Sequence, residues 1–227
     1  MVSRVASSVA SARPISGGTM EKESTLEKIR GAAVKEFARY GLDGARVDRI
    51  AQQAGINKAM IYYHYRGKED LYENLFLEIV TQIRKKVTGM FPVDAASNRD
   101  IFTGISGYID FLDDIDPDYA RIIMRELAGG GRYFLKLGFP NLVLPVLGLI
   151  SEIIESGKKE GRIKDINPLY TFFSIVAPLI FFKMVKTITM DTERGEMFFR
   201  EGYLDEFKRT YFAILESGIE KIQEDAE

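Results

Sequence analysis

The sequence contains no cysteine and no tryptophan, and His64 is its only histidine. Without cysteine the chain can form neither disulfide bonds nor thiolate metal sites. A zinc site built from His and Cys is excluded for the same reason, and a serine–histidine triad would have to use His64. The sequence also has no glycine-rich phosphate loop and no nucleophile elbow. We therefore expect a protein that is not an enzyme, with no catalytic residues, no cofactor and no metal site.

Long uninterrupted apolar runs are also missing from the sequence. The best candidate, Ile175–Phe182, is well short of the ~20 residues that a membrane-spanning helix needs. Residues 1–19 carry no acidic residue and lack the apolar region of a signal peptide. We therefore expect no membrane partner, a cytoplasmic location and a disordered tail over residues 1–19, with Met20 as the alternative start.

The charge of the chain is unevenly distributed along its length. Residues 1–86 hold 15 Lys+Arg against 10 Asp+Glu, a balance of +5, and residues 87–227 hold 16 against 23, a balance of −7. The two parts add to the overall net charge of −2. A polyanion would therefore meet the N-terminal third, although an ordinary solvated surface would give the same balance.

Apolar residues recur at helical spacing along nearly the whole chain, and no alternating strand pattern of useful length is present. The pattern predicts an all-α protein of about nine helices. A capping box at Ser24–Glu27 marks the predicted start of the first helix. We expect a three-helix domain with a helix-turn-helix over residues 20–70, a linking helix over residues 71–86 and a larger helical domain over residues 87–227.

Two short predicted helices, Val47–Ala54 and Lys58–Tyr65, are separated by a turn at Gly55 and by the helix-capping residue Asn57. Such a pair meets at a steep angle, so the second helix projects from the surface. Its outward side chains can bond to phosphates or pack on base edges, and a major groove admits one helix. They are Lys58, Ala59, Met60, Tyr62, Tyr63 and His64. A helix-turn-helix with a purely structural role is the alternative.

The segment from Phe37 to Leu71 resembles the DNA-binding domain of the tetracycline-repressor (TetR) family. The matching residues, in the order and spacing of that family, are Phe37, Gly41, Val47, Ile50-Ala51, Ala54-Gly55-Ile56, Asn57, Tyr62, His64-Tyr65 and Lys68-Glu69. The resemblance implies a homodimeric regulator whose C-terminal domain binds an effector, and it places Tyr62 and Lys68 on phosphates. The full set of predicted DNA contacts is Arg46, Val47, Asn57, Lys58, Ala59, Met60, Tyr62, Tyr63, His64 and Lys68.

Three residues depart from the commoner pattern of this family. Arg46 stands where a threonine usually caps the second helix, so the cap is lost while a phosphate-binding cation is gained. Met60 replaces a small residue of the recognition helix and could contact a thymine methyl group. Gly67 replaces a serine or asparagine and is therefore a weaker helix cap.

The C-terminal domain carries the remaining expectations. The last two long helices are strongly apolar and form the predicted homodimer interface, which would present two recognition helices to a two-fold symmetric operator in double-stranded DNA. Several apolar and aromatic residues could line a cavity for an unknown small-molecule effector, although plain core packing explains each of them as well. They are Phe102, Tyr108, Phe111, Met124, Phe134, Phe173 and Phe182. We expect a homodimeric repressor released from its operator by a small hydrophobic ligand; the alternative is a DNA-binding protein of the same fold without an effector.

Overall fold

The computed structural model describes residues 17–91 and 98–219, with side chains over 25–91 and 101–219. All regular structure in these ranges is helical, with ten α-helices and one π-helical segment and no β-strand. The predicted all-α class is confirmed, with one more α-helix than expected. Most of the tail predicted over residues 1–19 lies outside the described residues.

The N-terminal half begins with a long helix that is interrupted near its end. Its helices are α1 (Gly17–Gly44), α2 (Val47–Ala54), α3 (Lys58–His64) and α4 (Lys68–Gly89). Gly41 interrupts α1 with a positive φ of 67°, a conformation that favours glycine. The predicted start of α1 at the capping box is wrong, because the backbone is already helical from Gly17 and Ser24 lies inside the helix. The good helix formers at Met20–Glu23 are consistent with this longer helix.

The C-terminal half contains six α-helices and the π-helical segment. They are α5 (Asn98–Asp114), α6 (Pro117–Ala128), the π-helical segment Phe134–Val143, α7 (Leu144–Lys159), α8 (Pro168–Thr189), α9 (Glu193–Phe198) and α10 (Tyr203–Ile219). The side chain of Asp116 caps α6 and that of Asn167 caps α8, in each case with proline as the first helical residue. The short helix α9 was not predicted from the sequence.

Helix α4 connects the two halves of the molecule. It packs against α1 on one side and against α5, α7 and the π-helical segment on the other. Phe37 of α1 and Phe76 and Ile79 of α4 are almost completely buried in the core that these helices share. Because α1 also packs against α6, the N-terminal helices rest directly on the C-terminal ones. The domain boundaries predicted from the sequence stay a prediction.

Candidate nucleic-acid interface and ligand cavity

Helices α2 and α3 form a helix-turn-helix with a tight, well-bonded turn. Gly55 adopts the left-handed conformation, and its N–H and that of Ile56 donate to carbonyls of the last turn of α2. The side chain of Asn57 accepts a hydrogen bond of 2.9 Å from the Ala59 N–H and thereby caps α3. Ile50 and Ile61 are fully buried and hold the two helices against the core. The opposite face of α3 is therefore turned outward.

The outward face of α3 carries large side chains that the core does not use. Met60 is 38%, Tyr62 50% and Tyr63 72% exposed, and Ala59 is exposed beside them. The Lys58 Nζ atom lies 2.7 Å from the Asp48 carboxylate and 5.7 Å from the centre of the Tyr62 ring. Its hydrogen bond to Asp48 raises the pKa of Lys58, so the amine stays charged. The surface location predicted for these residues is confirmed.

Three predicted contact residues lie elsewhere than expected. The side chain of Val47 is only 8% exposed and belongs to the core, because it lies on the same face of α2 as Ile50. The side chain of Asn57 is occupied by its capping bond. His64 is partly buried between the rings of Tyr63 and Tyr65, and its Nε2 atom is buried without a hydrogen-bond partner. The structure gives these three side chains other surroundings, and their assignment as DNA contacts stays a prediction.

Arg46 and Lys68 lie at the ends of the helices that flank the projecting helix. Arg46 makes no side-chain cap, as predicted, and its backbone N–H donates to the Glu36 carboxylate at 2.8 Å instead. The side chain of Arg46 is exposed on the surface. Lys68 opens α4 and donates from Nζ to the Asp43 carbonyl at 3.2 Å. Gly67 stands at the N-cap position of α4 and makes no side-chain capping bond, also as predicted.

A buried ion pair that the sequence analysis missed positions the helix-turn-helix. The side chain of Glu36 on α1 is completely buried, and one of its carboxylate oxygens accepts hydrogen bonds from Arg49 Nε at 2.7 Å and from the Arg46 N–H. Arg49 also donates to the Gly44 carbonyl at 2.7 Å and lies over the ring of Tyr40. These contacts fix α2 on α1, so the projection of α3 depends on them.

An apolar cavity of about 160 Å³ lies between α4, α5, α6, α7, α8 and the π-helical segment. Twenty of the twenty-two described residues that line it have apolar side chains, which suits a hydrophobic ligand. Of the predicted ligand contacts, Tyr108, Met124 and Phe134 line this cavity. Helical spacing alone could not show that these three residues lie around one cavity.

The other four predicted ligand contacts lie outside the cavity. Phe102 packs edge-on against the ring of Phe212, and Phe182 stacks on Phe207 with a centroid distance of 3.9 Å. Phe173 is 50% exposed on the surface of α8. Phe111 packs against the core without reaching the cavity. Assigning these four residues to the cavity was therefore wrong, because their side chains pack against other residues or lie on the surface.

Helix α6 joins the cavity to the N-terminal helices. Its residue Met124 lines the cavity, and the next residue, Arg125, donates to the carbonyls of Ala38 and Arg39 near the end of α1. The buried carboxylate of Glu126 accepts bonds from the Tyr72 hydroxyl of α4 at 3.1 Å and from the Tyr133 N–H at 2.6 Å. Burial first, and then the charge of Glu126, raise the pKa of Tyr72, so this hydroxyl stays protonated.

Comparison with known proteins identifies the helix-turn-helix. Residues 29–75, which include α2, α3 and the outward face just described, match the family profile of bacterial regulatory proteins, tetR family. The helix-turn-helix of this chain is therefore similar to the tetR-family DNA-binding domain.

Proteins similar to this chain are transcription regulators. The HTH-type transcriptional repressor SCO4008 of Streptomyces coelicolor is 36% identical over 109 residues, which cover 47% of this chain and 51% of that protein. The HTH-type transcriptional regulator RutR of Escherichia coli is 27% identical over 183 residues, which cover 76% of this chain and 82% of RutR. The match thus spans about half of the first relative and most of the second. Neither is named as an enzyme.

The fold of this chain recurs in solved structures. The transcriptional regulator FadR of Bacillus subtilis, crystallised in complex with stearoyl-CoA, matches it with a TM-score of 0.58 at 22% identity. That match covers 85% of this chain and 98% of the other. The likeness therefore extends beyond the helix-turn-helix to the C-terminal helices.

Helices α8 and α10 expose an apolar face. On α8, Phe173, Phe181 and Ile188 are largely exposed, and on α10 Ile214 is exposed as well. Two helical stretches, Phe134–Lys159 and Pro168–Thr189, are long and apolar enough to cross a membrane by length and composition alone. The sequence-based expectation that no stretch reaches this length is therefore wrong, because it counted only uninterrupted apolar residues. Core helices of globular proteins pass the same test.

Proposed function

We propose that this chain is a cytoplasmic, sequence-specific DNA-binding transcription regulator of the tetR family. The observation that carries the proposal is the outward face of α3, on which Met60, Tyr62 and Tyr63 are exposed next to Lys58. A phenol hydroxyl can donate to phosphate, and a methionine or an aromatic ring can pack on thymine methyl groups in the major groove. Among the predicted contacts we retain Arg46, Lys68 and the exposed residues of α3.

Phosphate contacts would come from both sides of the projecting helix. Tyr62 lies on α3, and Lys68 begins α4, where free backbone N–H groups and the positive end of the helix dipole favour an anion. The net charge of +5 over residues 1–86 supports the same assignment. Asp48 pairs with Lys58 in the free protein, so a DNA phosphate would compete with this carboxylate for the amine.

The protein acts as a homodimer in this proposal. One short recognition helix buries too little surface for useful specificity, and a dyad places two of them on successive major grooves, ~34–36 Å apart. The exposed apolar face of α8 and α10 supports a second copy as the partner, because a face of this kind gains free energy when another protein surface covers it. The same face explains why α8 resembles a membrane helix in composition.

We further propose that a small hydrophobic ligand in the apolar cavity releases the repressor from its operator. The name of the relative SCO4008 supports repression, and the complex of FadR with stearoyl-CoA shows that a protein of this fold binds an acyl ligand. Helix α6 provides the connection, since Met124 lines the cavity while Arg125 holds the end of α1. A ligand shifts DNA affinity only if it binds the DNA-free arrangement more tightly than the DNA-bound one.

Footprinting on the DNA upstream of the chain's own gene tests the DNA-binding assignment. A two-fold symmetric footprint is expected, with half-sites about one helical turn apart or a multiple of it. Absence of protection at low ionic strength on this DNA and on random duplexes would reject the proposal.

Substitutions at Tyr62 and Lys68 test which residues hold the phosphates. Tyr62→Phe and Lys68→Met should weaken binding to all duplexes, and Lys68→Met should reduce the salt dependence of log K by about one unit. Lys85→Met is the matched control, because Lys85 is exposed on α4 and its loss changes the net charge equally. Equal salt slopes for Lys68→Met and Lys85→Met would contradict the assignment of Lys68 to a phosphate.

A further inference from the structure

Among the described residues, one cationic side chain lines the apolar cavity. Of the twenty-two described lining residues, Tyr108 and Lys183 have polar side chains. Lys183 lies on α8 and is only 8% exposed. An amine in such surroundings is expensive to bury unless it is hydrogen-bonded and its charge is balanced.

The hydrogen bonds of Lys183 go to carbonyl oxygens and not to a carboxylate. Its Nζ atom donates to the carbonyl of Asp113 at 3.0 Å and to that of Ile115 at 3.5 Å, where α5 ends. An ammonium group has three donors, so these carbonyls use two of them. Among the residues that the structure describes, no carboxylate lies within salt-bridge distance of Lys183. The longer of the two bonds is also weak by its length.

The side chain of Asp113, whose backbone carbonyl accepts from Lys183, pairs with other groups. One oxygen of Asp113 forms an ion pair with Lys186 and accepts a hydrogen bond of 2.6 Å from the Tyr203 hydroxyl. Burial first, and then the neighbouring charge of Lys186, lower the pKa of Lys183. The charges of Asp113 and Asp114 oppose this shift, and an anion arriving from the cavity would add a further opposite charge.

We infer that the cavity takes a ligand with an apolar body and a carboxylate head group, and that Lys183 binds the carboxylate. Apolar walls would cover the body, and Lys183 would give the ligand a fixed orientation at one end. The Tyr108 hydroxyl is a neutral donor on the same wall. This inference rests on the proposed effector-binding function and names the chemistry of its ligand.

Binding of decanoate and decanol to the purified full-length protein tests the inference, because the two probes share the apolar body and differ in the head group. Isothermal titration should give tighter binding for decanoate, by about tenfold or more, as expected for a charge-assisted hydrogen bond. In Lys183→Met and Lys183→Gln the decanoate affinity should fall about ten- to a hundredfold, while the decanol affinity changes less than about threefold. Lys183→Arg should keep the preference for decanoate.

Lys159→Met serves as the control, because Lys159 is exposed at the end of α7 and its loss changes the net charge equally. Thermal unfolding of each variant separates a lost contact from a lost fold, and glutamine at 183 can still donate to the two carbonyls. Equal affinities of the wild type for the two probes, or an unchanged decanoate affinity in Lys183→Gln, would overturn the role of Lys183. If neither probe binds the wild type while its operator is still protected, the ligand class is wrong and the DNA-binding assignment stands.

Discussion

The hydrogen bond between Tyr72 and Glu126 provides a quantitative test of how the two halves of the molecule are joined. The Tyr72 hydroxyl on α4 donates to the buried Glu126 carboxylate on α6 at 3.1 Å. A hydrogen bond to a charged group contributes about 1.5–3 kcal/mol to stability. Tyr72→Phe removes only the hydroxyl, so the unfolding free energy should fall by about 1.5–3 kcal/mol.

A double-mutant cycle separates this bond from other effects of the substitutions. In the wild type the backbone N–H of Tyr133 donates to the Glu126 carboxylate at 2.6 Å. Glu126→Gln keeps an oxygen that can accept this hydrogen bond. If Tyr72 and Glu126 interact directly, the double variant should deviate from additivity by about 0.5–3 kcal/mol. Urea unfolding followed by circular dichroism measures each free energy, with the protein concentration held constant because association contributes to stability.

Tyr170→Phe is the matched control, since Tyr170 is largely exposed on α8 and should change stability by less than about 0.5 kcal/mol. A Tyr72→Phe variant as stable as this control, or a cycle that is additive within about 0.5 kcal/mol, would refute the reasoning.

Two further predictions concern packing at single positions, and each carries its own control. Ile61→Ala empties a fully buried site under the recognition helix and should cost about 2–5 kcal/mol, whereas Met60→Ala on the outward face should cost much less in the same urea titration. Gly195→Ala should destabilise the chain by about 1–3 kcal/mol, because the new Cβ would collide with the Thr189 carbonyl oxygen. Gly148→Ala has open space on α7 and should raise stability by about 0.5–1 kcal/mol; a loss of stability there, or none at Gly195, would contradict the packing described.

The helix-turn-helix could be predicted from the sequence because its signals are local. The left-handed turn at Gly55, the cap at Asn57 and the buried face at Ile61 each depend on residues only a few positions apart. Val47 was predicted as a DNA contact because it lies at the start of α2, beside other predicted contacts. Its side chain lies on the buried face of that helix. The ion pair of Glu36 and Arg49 was missed because its partners come from different helices.

The cavity could be predicted only in part because its walls come from elements distant in the sequence. Helical spacing shows that a residue such as Phe182 lies on an apolar face, but not which neighbour covers that face. In the structure Phe207 of α10 covers Phe182, whereas the face of Phe134 is open to the cavity. Lys183 was missed for the same reason, since a lysine inside an apolar run reads as a surface residue unless its neighbours are known.

Helix α8 faces two different environments with adjacent residues. Phe172 lies against the cavity, while Phe173, the next residue, is half exposed on the apolar face. Selection for a new effector would act on the residues of α8 that face the cavity. Selection against pairing with paralogous regulators would act on the residues of its exposed apolar face. Substitution rates along α8 in related genomes should therefore alternate with the helical period.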